Sequence, residues 1–231
     1  MHLVCELGID KSLNPMRDSQ VPPLTIKEFQ ALAPVSDETL HNLQKYKNIL
    51  TQWQKTINLV SRKSLNDLWR RHMLDSAQLF PFLTNVKNPI IDLGSGAGFP
   101  GLVLSIMGIK NIHLVESDNR KCTFLRDVSV QTNADVTIHN VRVEKLDAFG
   151  TGVVLARGLA SLDALLDYAA PLLAEDGFCL FLKGQKVEQE LTLCQKNWMM
   201  QVQRIKSLSD PTGVILKIDN VCRKNACESR P

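Results

Sequence analysis

The chain reads as an α/β protein, doubly wound, with a mostly parallel seven-stranded sheet, an antiparallel C-terminal hairpin and an N-terminal helical extension. Three observations lead there. Past Pro89, short apolar runs alternate with helical ones. The last two apolar runs, MMQVQRIKSL and GVILKIDNV, are joined by Ser-Asp-Pro-Thr-Gly, a turn composition. Gly94, Gly96 and Gly98 follow the first apolar run directly, in IIDLGSGAGFPG over residues 90–101. Strand–helix alternation implies crossovers that lay helices on a parallel sheet. A short turn between two strands makes them antiparallel. A loop without side chains lets backbone approach a ligand closely.

Taken in order, residues 1–23 lack periodicity, end in Val21-Pro22-Pro23 and read as a loose arm. Residues 24–88 read as a basic helical cap. A short helix over 25–33 is stopped by Pro34. Ser36 caps the next helix, with Asp37 and Glu38 in its first turn. Leu40, Leu43, Tyr46, Ile49, Leu50, Trp53 and Ile57 then recur at helical spacing. Trp53 lies on that apolar stripe, so it reads as core rather than as a base-stacking platform. A further helix is expected from Ser64 to Phe80, with Leu65, Leu68, Trp69, Met73 and Leu74 inward. The region 89–220 carries strands over 90–93, 112–117, 135–140, 152–156 and 177–184 before the hairpin. Helices are expected between them, after Pro100 and over 119–131, 161–173 and 186–196. Residues 221–231 read as a cysteine-bearing tail.

Composition bounds the function classes. The 231 residues are 44% hydrophobic and 22% charged, as in an ordinary globular protein. No run of about eighteen apolar residues suggests a membrane span, and the first residues do not resemble a signal peptide. None of the six cysteines forms a C-x-x-C pair, so they read as reduced, in a cytoplasmic protein, with no metal site. A monomer is expected, since no spare apolar helix face is evident. The net charge of +3 is mild, but Lys45, Lys47, Lys55, Arg62, Lys63, Arg70 and Arg71 lie between His41 and His72 against one acid, Asp67. Charge alone fits a phosphate-binding patch and a solvated helix face equally well.

The glycine loop carries more information. Its pattern is Asp92-x-Gly94-x-Gly96-x-Gly98, followed by Pro100. A dinucleotide loop instead spaces its last two glycines three apart, to seat a helix on pyrophosphate. Glu116 follows 22 residues after Gly94, at the end of the second strand, where an acid accepts hydrogen bonds from ribose hydroxyls. Val143-Glu144 follows the third strand and suits an adenine edge. A nucleoside pocket without a phosphate cradle points to S-adenosylmethionine.

Further motifs make the chain resemble the RsmG family, also called glucose-inhibited division protein B. They are Trp53 with Ile57-Asn58-Leu59-Val60, Arg71-His72-x-Leu74-Asp75-Ser76, Phe99-Pro100-Gly101 closing the glycine loop, Val143-Glu144, Arg157 before Ala160-Ser161-Leu162, and Leu182-Lys183-Gly184. The resemblance covers roughly residues 40–220. It implies a Rossmann-like class I methyltransferase dependent on S-adenosylmethionine. The implied substrate is N7 of a guanine in the decoding-region hairpin, the 530 loop, of 16S rRNA, presented by free rRNA, the small ribosomal subunit or an assembly intermediate. Carried over by position, cofactor contacts fall on Gly94, Phe99, Val143, Glu144 and Arg157, with Gly96, Gly98 and Glu116 following from the general class.

The residues suit that chemistry. An amine-directed adenine enzyme would end its fourth strand in Asn/Asp-Pro-Pro-aromatic; here the place reads Leu155-Ala156-Arg157-Gly158. A ring nitrogen needs no deprotonation, so catalysis rests on alignment. Arg157 is the candidate catalytic residue, orienting cofactor or base. Arg62, Lys63, Arg70 and Arg71 are candidates for the rRNA backbone. Lys183 fits a phosphate contact and plain solvation equally. His72 and Asp75, three apart on one helical face, read as docking the cap rather than moving protons. The glycine spacing disfavours a nicotinamide oxidoreductase, and the intact site disfavours a non-catalytic RNA-binding module. A methyltransferase of another RNA or of a small molecule is the alternative.

Overall fold

A computed structural model describes residues 21–224; most of the expected arm and most of the expected tail lie outside them. The sheet has seven strands: β1 (Ile90–Leu93), β2 (Ile112–Val115), β3 (Val136–His139), β4 (Thr151–Arg157), β5 (Leu173–Lys183), β6 (Trp198–Lys206) and β7 (Val214–Arg223). Their order is β3-β2-β1-β4-β5-β7-β6. β1 to β5 are parallel, and β7 runs antiparallel to both of its neighbours, β5 and β6. The hairpin therefore sits at the edge with its second strand inserted. The order reverses between β1 and β4, so the crevice opens over the C-terminal ends of those strands.

Strand alternation divides the core. Ile90, Val153, Leu155 and Leu180 face one layer; Ile91, Val154, Ala156 and Phe181 face the other. The first layer holds α5 (Gly101–Ile106) and α6 (Asn119–Thr132), together with the N-terminal helices. The second holds α7 (Leu162–Ala169) and α8 (Val187–Cys194). The cap thus shares a core with the sheet. α1 (Ile26–Leu32) starts at a Thr25–Glu28 capping box, and α2 (Asp37–Trp53) at Ser36, whose hydroxyl accepts from the Thr39 amide. Leu43, Tyr46, Ile49 and Leu50 of α2 are buried. Trp53 packs edge-on against Phe124 and donates its indole N–H to Asp127 at 2.7 Å.

The single helix expected over 64–80 is instead broken. Its pieces are α3 (Arg62–Leu65), a π-helical turn (Trp69–Leu74), α4 (Asp75–Ala77) and a 3₁₀ turn (Phe80–Phe82) containing Pro81. Nearly every side chain from Leu68 to Leu79 is buried except Arg70, Arg71 and Asp75. A straight helix buries only one stripe. Widening one turn rotates His72, Met73 and Leu74 inward together while leaving Arg71 outside. Cys122, Cys179 and Cys194 are free and buried. Cys222 is disulfide-bonded, which corrects the expectation of a wholly reduced set; no C-x-x-C spacing signals it in the sequence. Among the described residues no helix is long and apolar enough to cross a membrane.

Gly101 opens α5 against the sheet. A Cβ there would lie 2.3 Å from Leu114 Cδ2 and 2.9 Å from Asp92 Oδ2. Both neighbours are fully buried, so neither can retreat into solvent. Gly101→Ala is expected to lower stability by about 1–3 kcal/mol through overpacking, read by urea unfolding; an unchanged midpoint would contradict this packing.

Candidate active site: two cavities meeting at Arg157

The loop after β1 is built by glycine and held by carboxylates. Gly94, Gly96 and Gly98 have φ of +63°, +57° and +86°, the left-handed region that side chains rarely adopt. Asp92 is wholly buried beneath the loop and accepts from the Gly101 amide at 3.0 Å. Burial pushes its carboxyl up to about 7, against the opposing pull of that amide. Glu116 accepts from the Gly96 amide at 3.0 Å and from the Asp118 amide at 2.8 Å. One acid thus fixes the loop and the start of α6 together. From the cap, the Tyr46 hydroxyl donates to the Ala97 carbonyl.

A cavity of about 390 Å³ opens over this loop. Gly94, Gly96, Glu116, Val143, Glu144 and Arg157 line it, which brings together six of the eight residues expected to contact cofactor. Gly98 and Phe99 are not in its wall. Phe99 is 3% exposed and stacks on Tyr46 and His72, with ring centroids at 5.1 Å and 4.7 Å. Tyr168 is a wall residue that sequence reasoning missed; its hydroxyl donates to Glu144 at 3.2 Å. A Cβ on Gly94 would lie 2.6 Å from Leu159, so glycine alone lets the loop after β4 close against the loop after β1.

A second cavity, about 310 Å³, lies alongside. Arg157 and Gly158 belong to both walls. The second wall also includes Ser64, Arg71, His72 and Asp75 from the cap, Lys183 at the end of β5, and Ser207, Ser209 and Asp210 from the β6–β7 turn. Nothing in the sequence of that turn marked it as more than a turn.

Arg157 is gripped by the cap. Its guanidinium donates to the Arg71 carbonyl at 3.1 Å, to Asp75 at 3.3 Å and to His72 Nδ1 at 2.9 Å, and sits 5.0 Å from the Phe99 ring centroid. His72 and Asp75 therefore do dock the cap onto the sheet, but each does so by contacting Arg157 rather than the other. Asp75 also accepts from Ser209 and from Gln78, at 3.1 Å in the latter case, which fastens the β6–β7 turn to the cap. Among the candidate RNA contacts, Arg62 and Lys63 are exposed on α3 beside Ser64. Arg70 is turned inward, to Asp67 at 2.9 Å and the Pro22 carbonyl. Arg71 pairs with Asp210 at 2.7 Å. Lys183 is 10% exposed and pairs with Glu190 at 2.6 Å, an internal ion pair that its position in the sequence does not reveal.

The sheet order with one inserted antiparallel strand, and the glycine loop at the switch point, define the class I S-adenosylmethionine-dependent methyltransferase architecture. Solved structures share it. Magnesium protoporphyrin IX methyltransferase from Synechocystis PCC 6803, with bound SAM, is similar at a TM-score of 0.55 and 11% identity, covering 81% of this chain and 98% of that one. The ribosomal protein L11 methylase of Lactobacillus delbrueckii subsp. bulgaricus is similar at 0.51 and 16%, covering 62% and 75%. The model of the GidB family, rRNA small subunit methyltransferase G, matches residues 39–215, and the chain belongs to that family. It is 50% identical over 200 residues to the ribosomal RNA small subunit methyltransferase G of Paramagnetospirillum magneticum, covering 87% of this chain and 98% of that one. Identity to the protein of the same name from Rhodospirillum rubrum is 48%, covering 87% and 100%.

Arginine can only donate, so His72 Nδ1 must be unprotonated. Burial, then Arg157 and Arg71, hold the imidazole neutral down to about 3. An unfolded histidine titrates near 6.5. The folded state thus binds fewer protons than the unfolded one between those values, and stability falls as pH drops through that window. At pH 5 the deficit is about 2 kcal/mol relative to neutral pH. Urea unfolding at pH 7.5 and 5.0 is expected to show His72→Gln losing about that much less than wild type; equal losses would contradict a neutral His72.

Proposed function

We propose that the chain uses S-adenosylmethionine to methylate N7 of a guanine in the decoding-region hairpin, the 530 loop, of 16S rRNA. The observation that carries this reading is the meeting of two cavities at Arg157 and Gly158. One has the features of a nucleoside site: glycine backbone at Gly94 and Gly96, a carboxylate at Glu116 for ribose hydroxyls, and Val143-Glu144 for an adenine edge. A Cβ at Gly96 would meet nothing nearer than 3.7 Å, so that side of the loop is open to a ligand. The cofactor supplies an electrophilic sulfonium methyl when bound. The other cavity receives the base, between the cap and the β6–β7 turn.

N7 attack forms the N–C bond as the S–C bond breaks; no proton moves, and the guanine takes up the positive charge. The residues present suit that balance. Among the described residues, no cysteine lines either cavity to serve as a carbon-directed nucleophile. Arg157 ends β4 where an amine-directed enzyme would place its acid or amide and prolines. Held on both sides of its fork, it orients reactants rather than exchanging protons, since guanidinium stays charged. The cations of the base cavity carry carboxylate partners, Arg157 with Asp75, Arg71 with Asp210 and Lys183 with Glu190. Uncompensated charge beside a base becoming cationic would oppose the reaction.

The substrate is 16S rRNA, free, in the small subunit or in an assembly intermediate, and the enzyme works in the cytoplasm as a monomer. RNA is recognised best where bases splay from loops, and the target base is expected to leave its stack to enter the cavity. Arg62 and Lys63, exposed beside Ser64, meet phosphates at the cavity rim. Labelled methyl transfer to small subunits lacking the modification, with the base mapped by N7-directed strand scission, tests the reaction. Arg157→Ala is expected to lower turnover on the order of 10²-fold through lost alignment, and full turnover would overturn its assignment. Neutralising Arg62 or Lys63 is expected to flatten the salt dependence of binding by roughly 0.7–0.9 in log–log slope per contact; an unchanged slope would remove that residue from the RNA interface.

A further inference from the structure

The Arg71–Asp210 pair spans 139 positions of sequence to close at 2.7 Å in the wall of the base cavity. It is not a drifting surface contact. Asp210 Oδ1 accepts from both the amide and the hydroxyl of Thr212, each at 2.8 Å, while Oδ2 takes Arg71. The turn beneath is fastened to the cap by Ser209 to Asp75 and by the Leu208 amide to Gln78 at 2.8 Å. The arginine and the carboxylate remain part open, their side chains 47% and 29% exposed. Each Asp210 oxygen offers about two acceptor positions, so Oδ2 keeps one beyond the Arg71 bond, and Arg71 has further N–H donors.

A donor set beside an acceptor is a pattern that nucleobases distinguish. Along its Watson–Crick edge guanine presents a carbonyl acceptor at C6, then donors at N1 and the 2-amino group. Adenine presents a donor at C6 and an acceptor at N1, the reverse order. We propose that the Arg71–Asp210 pair reads the Watson–Crick edge of the target guanine, Arg71 donating to O6 and the open position on Asp210 Oδ2 accepting from the 2-amino group. The inference rests on the guanine-N7 reading above. It adds a reason for guanine: adenine also has an N7, and only the edge tells them apart. It also leaves N7, on the neighbouring Hoogsteen edge, free to face the first cavity across Arg157. A site built to hydrogen-bond a substrate group rejects the analogue lacking it, because its own polar atoms lose a partner.

Inosine tests this, because it keeps N7, O6 and N1–H and lacks only the 2-amino group. Small subunits are reconstituted with 16S rRNA carrying guanosine or inosine at the target position, and kcat/KM for labelled methyl transfer is measured on each. Wild type is expected to favour guanosine by about tenfold or more, the discrimination of one good edge contact. Asp210→Asn, whose single amide oxygen cannot serve both Thr212 and the base edge, and Asp210→Ala are both expected to methylate the two RNAs within about twofold of each other. Thermal unfolding and cofactor calorimetry check that each variant is folded and loaded. Wild-type rates that are equal on both RNAs would overturn the proposal, as would an undiminished preference in both variants. Transfer to neither RNA by wild type would overturn the guanine-N7 reading itself, and this inference with it.

Discussion

The guanidinium of Arg157 ties together parts of the molecule that fold by separate local rules. It stands at the end of β4, beside the point where the strand order reverses. Every group that holds it comes from elsewhere: the Arg71 carbonyl, His72 and Asp75 from the cap, and the face of Phe99 from the glycine loop. Such a contact is costly unless complete, since a charged group taken from water needs all its donors met. The π-helical turn in the cap then has a physical purpose. It exposes the Arg71 carbonyl and turns His72 inward within one turn, which a regular helix would not do while also burying Met73 and Leu74. The cap is therefore part of the site's geometry, and the wall between the two cavities is made of an interaction that exists only when cap and sheet are docked.

The glycine loop depends on the same docking from the other side. Its left-handed positions leave carbonyls and amides pointing in several directions, and each needs a partner. Asp92 takes the Gly101 amide, Glu116 takes the Gly96 amide, and Tyr46 of the cap supplies a donor for Ala97. Phe99 fills the space between Tyr46 and His72. Sequence resemblance carried Phe99 over as a cofactor contact; in the fold it lies outside that cavity's wall, between Tyr46 and His72. It is the apolar plate on which the imidazole and the guanidinium rest, and so it acts on both cavities through their shared wall.

What the sequence made legible follows from the range of the forces involved. Strand and helix periodicity, capping at Ser36 and the turn chemistry of Ser-Asp-Pro-Thr-Gly are local, and they emerged in the fold nearly where the pattern put them. The glycine loop with Glu116 and Val143-Glu144 was legible because strand order in doubly wound sheets brings those loop positions to one crevice. The broken helix over 62–82 was not, because its burial is nearly all-round and a periodicity argument then has no stripe to read. The role of the β6–β7 turn was hidden more deeply. Asp210 meets Arg71 and Ser209 meets Asp75 across 139 and 134 positions, and neither partner's neighbourhood in sequence signals the other. Lys183 was ambiguous for the same reason: Glu190 reaches back from α8 to neutralise it.

Those ion pairs resolve a conflict built into the proposed chemistry. An enzyme acting on RNA needs cations to hold phosphates, while a guanine methylated at N7 becomes a cation and is repelled by them. Distance and solvent separate the two demands, because exposed charges are screened within about a Debye length whereas partly buried ones are felt strongly at close range. Arg62 and Lys63 stand exposed on α3, outside the wall of the second cavity. Arg157, Arg71 and Lys183 stand in the cavity wall, each with a carboxylate within 3.3 Å. A carboxylate so placed does more than cancel its arginine. In the proposed reaction, Asp75 and Asp210 would remain as fixed negative groups already oriented by their hydrogen bonds, with no reorganisation needed as the ring gains charge. Replacing either acid by a neutral group would leave an arginine facing the nascent cation, and the same side chains that make the cavity polar enough for a nucleobase would then oppose its methylation.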